Sequence, residues 1–238
     1  MNSVLHVHLQ TSPSQSGRLA ELQQAFAQVC NALAPLAQQT ACWNRVALHH
    51  MAYKRLRQQF PGLGSQMVCN AIYSVSRACR VVYQHPNSPF NPQRLAGKPL
   101  PTLQFLPQAP VYFDLHTLSL KGGVVSMFTL DGRMRFRLAL SAEDETRFRN
   151  DKLREIALTS KAGQFSLSFI FAENDALDGA GGASSVNSAH SADSPGVSRH
   201  TAPAQPGAEL PEYVLVIEDT SHVLPGLLAQ PQLRPATP

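Results

Sequence analysis

With 238 residues and a net charge of +4, the chain is long enough for one large hydrophobic core or two small ones. The charge is unevenly distributed: residues 1–172 carry 18 Lys and Arg against 8 Asp and Glu, whereas residues 173–238 carry 2 against 8. No run of about 18 apolar residues occurs, and residues 1–10 do not resemble a signal peptide. We therefore expect a cytoplasmic protein with no membrane partner.

The first predicted elements are a strand and a long helix. Apolar and polar residues alternate over 4–9, which predicts a strand that ends at the breaker 11–13. From about residue 16, apolar residues recur every three or four positions along one helical face, at Leu19, Leu22, Phe26, Val29, Leu33 and Leu36. Pro35 should kink or end this helix.

Two further helices are predicted over 43–60 and 65–84. In the first, the residues expected to face inward are Trp43, Ala47, Met51 and Leu56. In the second, they are Val68, Ile72, Val75, Cys79 and Val82. Another face of that helix carries Asn70, Tyr73, Arg77 and Arg80. Three amphipathic helices joined by short loops predict a bundle.

After the connector 85–101 the apolar period changes to two, which indicates strands. The predicted strands are 111–113, 116–120, 124–130, 133–140, 153–159 and 164–171, with turns at Gly122-Gly123, Asp131-Gly132 and Ala162-Gly163. Ser141, followed by Asp144 and Glu145, predicts the N-cap of one short helix between the strands. With the first strand, these elements predict a small antiparallel β-barrel of OB-like type.

The predicted fold class is therefore α+β, with a three-helix bundle inserted after the first strand of the barrel. The barrel would comprise residues 1–14 and 101–172, and the helical lobe residues 15–100. Residues 173–210 consist largely of Ala, Gly, Ser, Pro, Asp and His, which predicts a disordered linker. The tail 211–238 contains one predicted strand, 213–217.

Sequence signals for catalysis or metal binding are missing. The cysteines Cys30, Cys42, Cys69 and Cys79 include no CxxC pair and fall within or beside apolar helical patterns, so we expect reduced core residues. The histidines have no zinc-site spacing, and neither a nucleophile motif nor a Walker A sequence occurs. We therefore expect no catalytic residue, no metal and no cofactor.

A long stretch without acidic residues is the main functional signal. The 92 residues from 22 to 113 contain no Asp or Glu but carry eight cations: Arg45, Lys54, Arg55, Arg57, Arg77, Arg80, Arg94 and Lys98. Soluble helical surfaces normally mix both signs of charge. This imbalance predicts a surface for a polyanion, and nucleic-acid phosphate is the favoured partner.

The helical candidates each have a functional and a structural interpretation. The cations of 45–57 would contact phosphates or form a solvated helix face. Arg77 and Arg80 would grip a backbone while Tyr73 stacks on a base or ribose, or Tyr73 would be half-buried in the bundle.

Two more groups have residue types suited to nucleic acid. Gln66 and Asn70 share a helical face and would read adenine edges, with Ser65 beside them or acting as the helix N-cap. The last group alternates along one strand and would form an RNA groove on a sheet face: Arg133, Arg135 and Arg137.

Several short segments of the sequence resemble segments of the TnpB family, the transposon-encoded RNA-guided nucleases related to type V CRISPR effectors. The residues that resemble the family's helical recognition segment are Ala25-Phe26, Cys30-Asn31, Leu48-His49, Tyr53, Arg57, Phe60, Leu63, Ser65-Gln66-Met67, Ala71-Ile72 and Val75. Asp131-Gly132-Arg133, together with 153–169, resembles the family's wedge-barrel strands. The similarity spans roughly residues 3–172.

The resemblance implies that the wedge barrel and helical recognition lobe hold a guide RNA and read a short motif in double-stranded DNA. In the family, a following RuvC-like domain performs catalysis and opens with Gly-Ile-Asp-x-Gly. The segment of this sequence most similar to that motif is Val216-Ile217-Glu218-Asp219-Thr220, and only 19 residues follow Asp219. Two-metal hydrolysis needs several converging carboxylates, so we expect no cleavage by this chain alone.

The candidate nucleic-acid-binding residues are thus Arg45, Tyr53, Lys54, Arg55, Arg57, Ser65, Gln66, Asn70, Tyr73, Arg77, Arg80, Arg133, Arg135 and Arg137. We predict a nuclease-less TnpB-like protein that binds a guide-type RNA and target DNA. The alternatives are a subunit of a split nuclease whose RuvC domain is a separate chain, a truncated gene product without activity, and a transcriptional repressor that occupies DNA.

Overall fold

A computed structural model describes residues 2–172 and 211–217 of the chain. The predicted linker over 173–210 and the part of the predicted tail that follows Ile217 lie outside the described residues. The helices are α1 (Pro13–Gln39), α2 (Arg45–Gln59), α3 (Ser65–Cys79) and α4 (Ala142–Asn150). The strands are β1 (Asn2–His8), β2 (Thr102–Phe105), β3 (Val111–Phe113), β4 (Leu118–Lys121), β5 (Val124–Thr129), β6 (Gly132–Arg137), β7 (Lys152–Lys161), β8 (Gln164–Ala172) and β9 (Val214–Ile217).

The described strands form three antiparallel sheets, so the predicted α+β class is confirmed. One sheet has the order β1-β8-β7-β3, another the order β4-β5-β6, and β2 pairs with β9. None of these sheets closes on itself, so no closed barrel forms among the described strands, and the OB-like, wedge-type form of the predicted barrel stays a prediction. Closure requires every edge strand to pair across the seam, whereas β4, β5 and β6 pair only among themselves.

The hairpin predictions are confirmed, with one shift of position. Gly122-Gly123 joins β4 to β5 and Ala162-Gly163 joins β7 to β8, and φ is positive at all four residues, as a type I′ turn requires. The third loop is Leu130-Asp131, because Gly132 already pairs with Thr129 in the ladder. Gly132 has a φ of 111°, a backbone conformation that favours glycine.

The ends of α1 follow from local chemistry. The helix begins at Pro13 because Ser12 and Gln15 form a capping box in front of it. Pro35 lies inside the helix, which continues to Gln39, so Pro35 does not end it, and the kink that was the other expected outcome stays a prediction. The last turn is held by the Thr40 amide, which donates to the Leu36 carbonyl at 3.0 Å.

The next two helices differ in how well the sequence predicted their buried faces. In α2 the buried residues are Leu48, Ala52 and Leu56, whereas Met51 is 44% exposed, so its predicted inward position is wrong. Ala47 is only partly buried, because the inward face lies one position further along the chain. In α3 and the π-helical turn that extends it, Arg80–Gln84, the predicted buried residues are confirmed: Val68, Ile72, Val75, Cys79 and Val82.

One continuous hydrophobic core joins the helices to the strands. It includes Phe26 of α1, Ile72 of α3, Phe105 of β2 and Phe169 of β8. The helices α1, α2 and α3 pack on one another, and α1 and α3 also pack on β3. The division into a helical and a sheet domain stays a prediction.

Strand β2 was not predicted, and a side chain of α1 holds it in place. Asn31 donates through Nδ2 to the Phe105 carbonyl at 2.9 Å and accepts from the Phe105 amide through Oδ1 at 2.7 Å. Its amide thus acts as a neighbouring strand on the side of β2 opposite β9. The Phe105 ring is buried in the core beside it.

We predict that Asn31→Ala lowers the free energy of unfolding by about 1–3 kcal/mol, because two backbone groups of Phe105 lose their partners. Urea denaturation monitored by circular dichroism measures this change. Gln28→Ala, at an exposed position of the same helix, is the matched control and should change stability by less than about 0.5 kcal/mol. Equal stability of the two variants would contradict the bridging role of Asn31.

Candidate nucleic-acid interface

The outer face of the sheet β4-β5-β6 carries the predicted row of arginines. Along β6, Met134 and Phe136 are buried, while Arg133, Arg135 and Arg137 between them are exposed. Their partners on β5 are Phe128, Ser126 and Val124, and the register continues to Ser119 and Lys121 of β4. These outward positions include four cations and no Asp or Glu. We call this surface the arginine face.

Arg133 is held against the sheet, and its two neighbours are not. Its guanidinium lies 4.2 Å from the centre of the Phe128 ring and donates to the carbonyls of Ser126 and His116, each at 2.9 Å. Phe128 remains 40% exposed. Within the described parts of the chain, no hydrogen bond or ion pair holds Arg135 or Arg137. The face therefore offers two unpaired guanidinium groups beside an exposed aromatic ring.

The arginine face is fastened to α1 through the β5–β6 loop. Arg18 of α1 contacts the Asp131 carboxylate at 2.5 Å and donates to Thr129 Oγ1 at 3.2 Å. Hydrogen bonds from Arg18 and Thr129 hold the pKa of Asp131 below its usual value. Asp131, the acidic residue nearest the three arginines along the chain, is thus paired with Arg18 at the end of the hairpin.

The cations of α2 are divided between free and engaged side chains. Lys54 and Arg55 are exposed, and no hydrogen bond or ion pair holds either of them in the described structure. Arg57, by contrast, donates to the Leu63 carbonyl. Arg45 lies 5.5 Å from the centre of the Tyr73 ring, and Tyr53 stacks on His49 at 4.6 Å between ring centres. Arg45, Lys54 and Arg55 remain available to a phosphate.

Arg77 forms an ion pair with the carboxylate of Glu155, which lies 78 residues further along the chain. Glu155 of β7 accepts from Arg77 Nη1 at Oε1 and from the Tyr73 hydroxyl at Oε2, each at 2.5 Å. Tyr73 also packs edge-on against Tyr112, with 5.4 Å between ring centres. Arg80 donates to Ser76 Oγ at 2.9 Å. Arg77 and Tyr73 therefore join α3 to β7, and Tyr73 is half-buried, as the structural interpretation of it predicted.

The polar residues at the start of α3 are engaged within the protein. Asn70 is 5% exposed and donates to the Tyr112 carbonyl at 3.1 Å, and Gln66 donates to Asp114 at 2.5 Å. Burial raises the pKa of Asp114, but hydrogen bonds from Thr117 and Gln66 outweigh this effect and leave it below the usual value. Ser65 is the first residue of α3, so the prediction that it caps the helix is wrong: the N-cap is Gly64.

The structure adds basic residues that the sequence analysis did not single out. Lys121 extends the arginine face, and Lys152 and Arg154 stand at the start of β7 near Tyr73 and Arg77. Their alternation with apolar residues was the available signal. Among the described residues, no group of three or more His, Cys, Asp or Glu side chains is placed to hold a metal ion. No described helix has the length and apolarity needed to cross a membrane.

Comparison with known proteins gives no assignment. No family model matches the chain, and a search of curated proteins found no match. The geometry of the arginine face and of the helical cations is therefore the basis for the functional argument.

The hydroxyl of Tyr73 gives a prediction for alkaline pH. Burial and the hydrogen bond to Glu155 raise the pKa of Tyr73 to about 12, above the value of about 10 for an unfolded chain. The folded state thus retains this proton longer, so the resulting stabilisation is complete below about pH 10 and is lost as the pH rises towards 12.

Tyr73→Phe should remove one tyrosinate absorbance change near pH 12 and reduce the loss of unfolding free energy between pH 9 and 11.5. Ultraviolet titration and urea denaturation measure the two effects. The phenylalanine ring can still pack against Tyr112, so the comparison isolates the hydroxyl. An unchanged absorbance titration would contradict the assignment.

Proposed function

We propose that this chain binds nucleic acid, and RNA in particular, on the arginine face, with Lys54 and Arg55 of α2 contributing further phosphate contacts. The observation that carries the proposal is the row of outward arginines on a sheet face without an acidic side chain. Such a face attracts phosphates strongly because no carboxylate on it offsets the positive charge.

Single-stranded RNA fits the chemistry of this face best. Alternate residues of a strand lie about 6.8 Å apart, so Arg135 and Arg137 can contact separate phosphates along one RNA strand. Phe128, 40% exposed, and the Arg133 guanidinium that lies over its ring together offer planar groups on which a base can stack, and the Ser126 hydroxyl lies on the same face. A surface that combines aromatic stacking with phosphate contacts is typical of single-strand binding.

The resemblance to the TnpB family makes this proposal more specific. In this proposal the protein is a nuclease-less, TnpB-like protein: its strands serve as a wedge-type domain, its helices as a recognition lobe, and its ligands are a guide-type RNA and a duplex DNA motif. The chain order of β1, three helices and then the remaining strands agrees with the layout that the resemblance implies. Cleavage is not part of the proposed activity of this chain alone.

The binding proposal predicts a defined change in salt dependence. In Arg135→Gln/Arg137→Gln, the slope of log K against log salt for single-stranded RNA should become shallower by about 1.4, or about 0.7 for each lost phosphate contact. Fluorescence anisotropy with a labelled 20-nucleotide RNA at several salt concentrations measures this slope. Circular dichroism confirms that the variant is folded.

The matched control is Arg94→Gln/Lys161→Gln, which removes the same charge at exposed positions outside the arginine face. It should retain most of the wild-type slope. RNA binding that is equal in all three proteins would refute the arginine face as the binding surface. Sequencing the RNA that co-purifies with the protein then tests the guide-type assignment, because a guide gives one discrete species and general polyanion binding gives random cellular RNA.

A second candidate, the subunit of a split nuclease, is favoured by the exposed edge of β9. The register makes Gln104 and Leu215 a hydrogen-bonded pair, since Leu106 donates to the Tyr213 carbonyl two residues away. The Val216 amide and carbonyl therefore point away from β2, and none of the described strands pairs with them. A partner strand can add to this edge.

We predict that Val216→Pro prevents a separate RuvC-like chain, encoded beside this gene, from co-purifying with the protein. Proline removes the outward amide but leaves the hydrogen bonds between β2 and β9 intact. Leu215→Ala keeps that amide and is the control. Retention of the partner by Val216→Pro would contradict strand addition at β9.

A further inference from the structure

A cavity of about 630 Å³ lies where α3 meets the start of β7. Tyr73 and Arg77 line it from α3, and Lys152, Arg154 and Glu155 line it from β7. We call it the α3–β7 cleft. It is built from residues other than those of the arginine face, and the sequence-based list of binding residues included Tyr73 and Arg77 but not Lys152 or Arg154.

A β-bulge places Arg154 in the cleft. Leu153 pairs with Phe171 and Glu155 pairs with Ile170, so Arg154 is an extra residue that faces no partner on β8. A bulge of this kind turns the side chain away from strict alternation. Arg154 thereby lines both the cleft and a smaller adjoining cavity of about 160 Å³, whose wall includes Arg45.

The one carboxylate in the cleft is already neutralised. The Glu155 side chain is 14% exposed, and its two oxygens are occupied by Arg77 and by the Tyr73 hydroxyl. In the part of the chain that the structure describes, no hydrogen bond or ion pair engages Lys152 or Arg154. The cleft thus keeps two free cations, while Arg77 and Glu155 balance each other.

We propose that the α3–β7 cleft binds a phosphate group, held by the guanidinium of Arg154 and the ammonium of Lys152. A guanidinium matches two phosphate oxygens at once, and an ammonium adds a compact charge. Phosphate is favoured over carboxylate because it presents more acceptor oxygens to converging donors. The group belongs either to the backbone of an RNA strand or to a terminal or free phosphate. The site does not depend on RNA binding at the arginine face.

The direct test titrates inorganic pyrophosphate into the full chain labelled with ¹⁵N-arginine, observed by NMR of the arginine side chains at constant ionic strength. The Arg154 Nε–H resonance, assigned by its loss in Arg154→Gln, should shift and saturate. Lys152→Gln should weaken this binding by about tenfold, the loss expected for one charge-assisted hydrogen bond. The control Arg94→Gln/Lys161→Gln should bind as the wild type does.

Two RNAs of one sequence, with a 5′-phosphate or a 5′-hydroxyl, distinguish the source of the group. If the cleft takes a terminal phosphate, the phosphorylated RNA binds more tightly, and Lys152→Gln/Arg154→Gln abolishes the difference. If it takes a backbone phosphate, both RNAs bind equally and the double variant weakens both.

The failures of the two proposals are distinguishable. An Arg154 resonance that does not respond to pyrophosphate, or that responds equally to chloride, overturns the phosphate site even where RNA binds the arginine face. Saturable pyrophosphate binding at Arg154 without any RNA binding supports the site and refutes the proposed function.

Discussion

The ion pair between Arg77 and the largely buried carboxylate of Glu155 is the interaction on which the α3–β7 cleft depends. Glu155 binds Arg77 and Tyr73 of α3 from a strand of the main sheet, so helix and sheet are joined by charge as well as by their common core. Removing one member of such a pair leaves a poorly solvated charge behind, which makes the arrangement sensitive to substitution. Within the cleft, the pair also occupies Arg77 and the one lining carboxylate, so Arg154 and Lys152 have no ion-pair partner among the described residues.

The two basic surfaces, the arginine face and the α3–β7 cleft, differ in the strand geometry that forms them. On the arginine face, strict alternation along β6 places three arginines on one side of the sheet and the apolar residues on the other. In the α3–β7 cleft, the bulge at Arg154 breaks the alternation and directs a cation towards a helix. Regular pairing therefore gives the extended surface for which we propose RNA binding, and the irregularity gives the pocket for which we propose phosphate binding.

Local patterns in the sequence predicted those parts of the fold whose causes are local. Alternation predicted β6 and its arginines, the capping signal at Ser141 predicted α4, and the glycine-containing pairs at 122–123 and 162–163 predicted two hairpin turns. The prediction failed where distant segments decide the structure. Strand β2 is short and depends on β9 and on the amide of Asn31. Sequence patterns also did not predict the division of the described strands into three separate sheets, because pairing partners, rather than the pattern within each strand, decide where a sheet ends.

The sequence alone determined that residues 22–113 contain cations and no acids, and that three arginines alternate in one strand. Only the tertiary structure decided which of these charges are free. The pairing of β7 within its sheet places Glu155 beside Arg77 of α3. The turn after β3 places Asp114 within hydrogen-bond distance of Gln66. The helix packing buries Asn70. The physical reason is that electrostatic neutralisation depends on distance in space, which the packing of α3 against the sheet sets independently of separation along the chain.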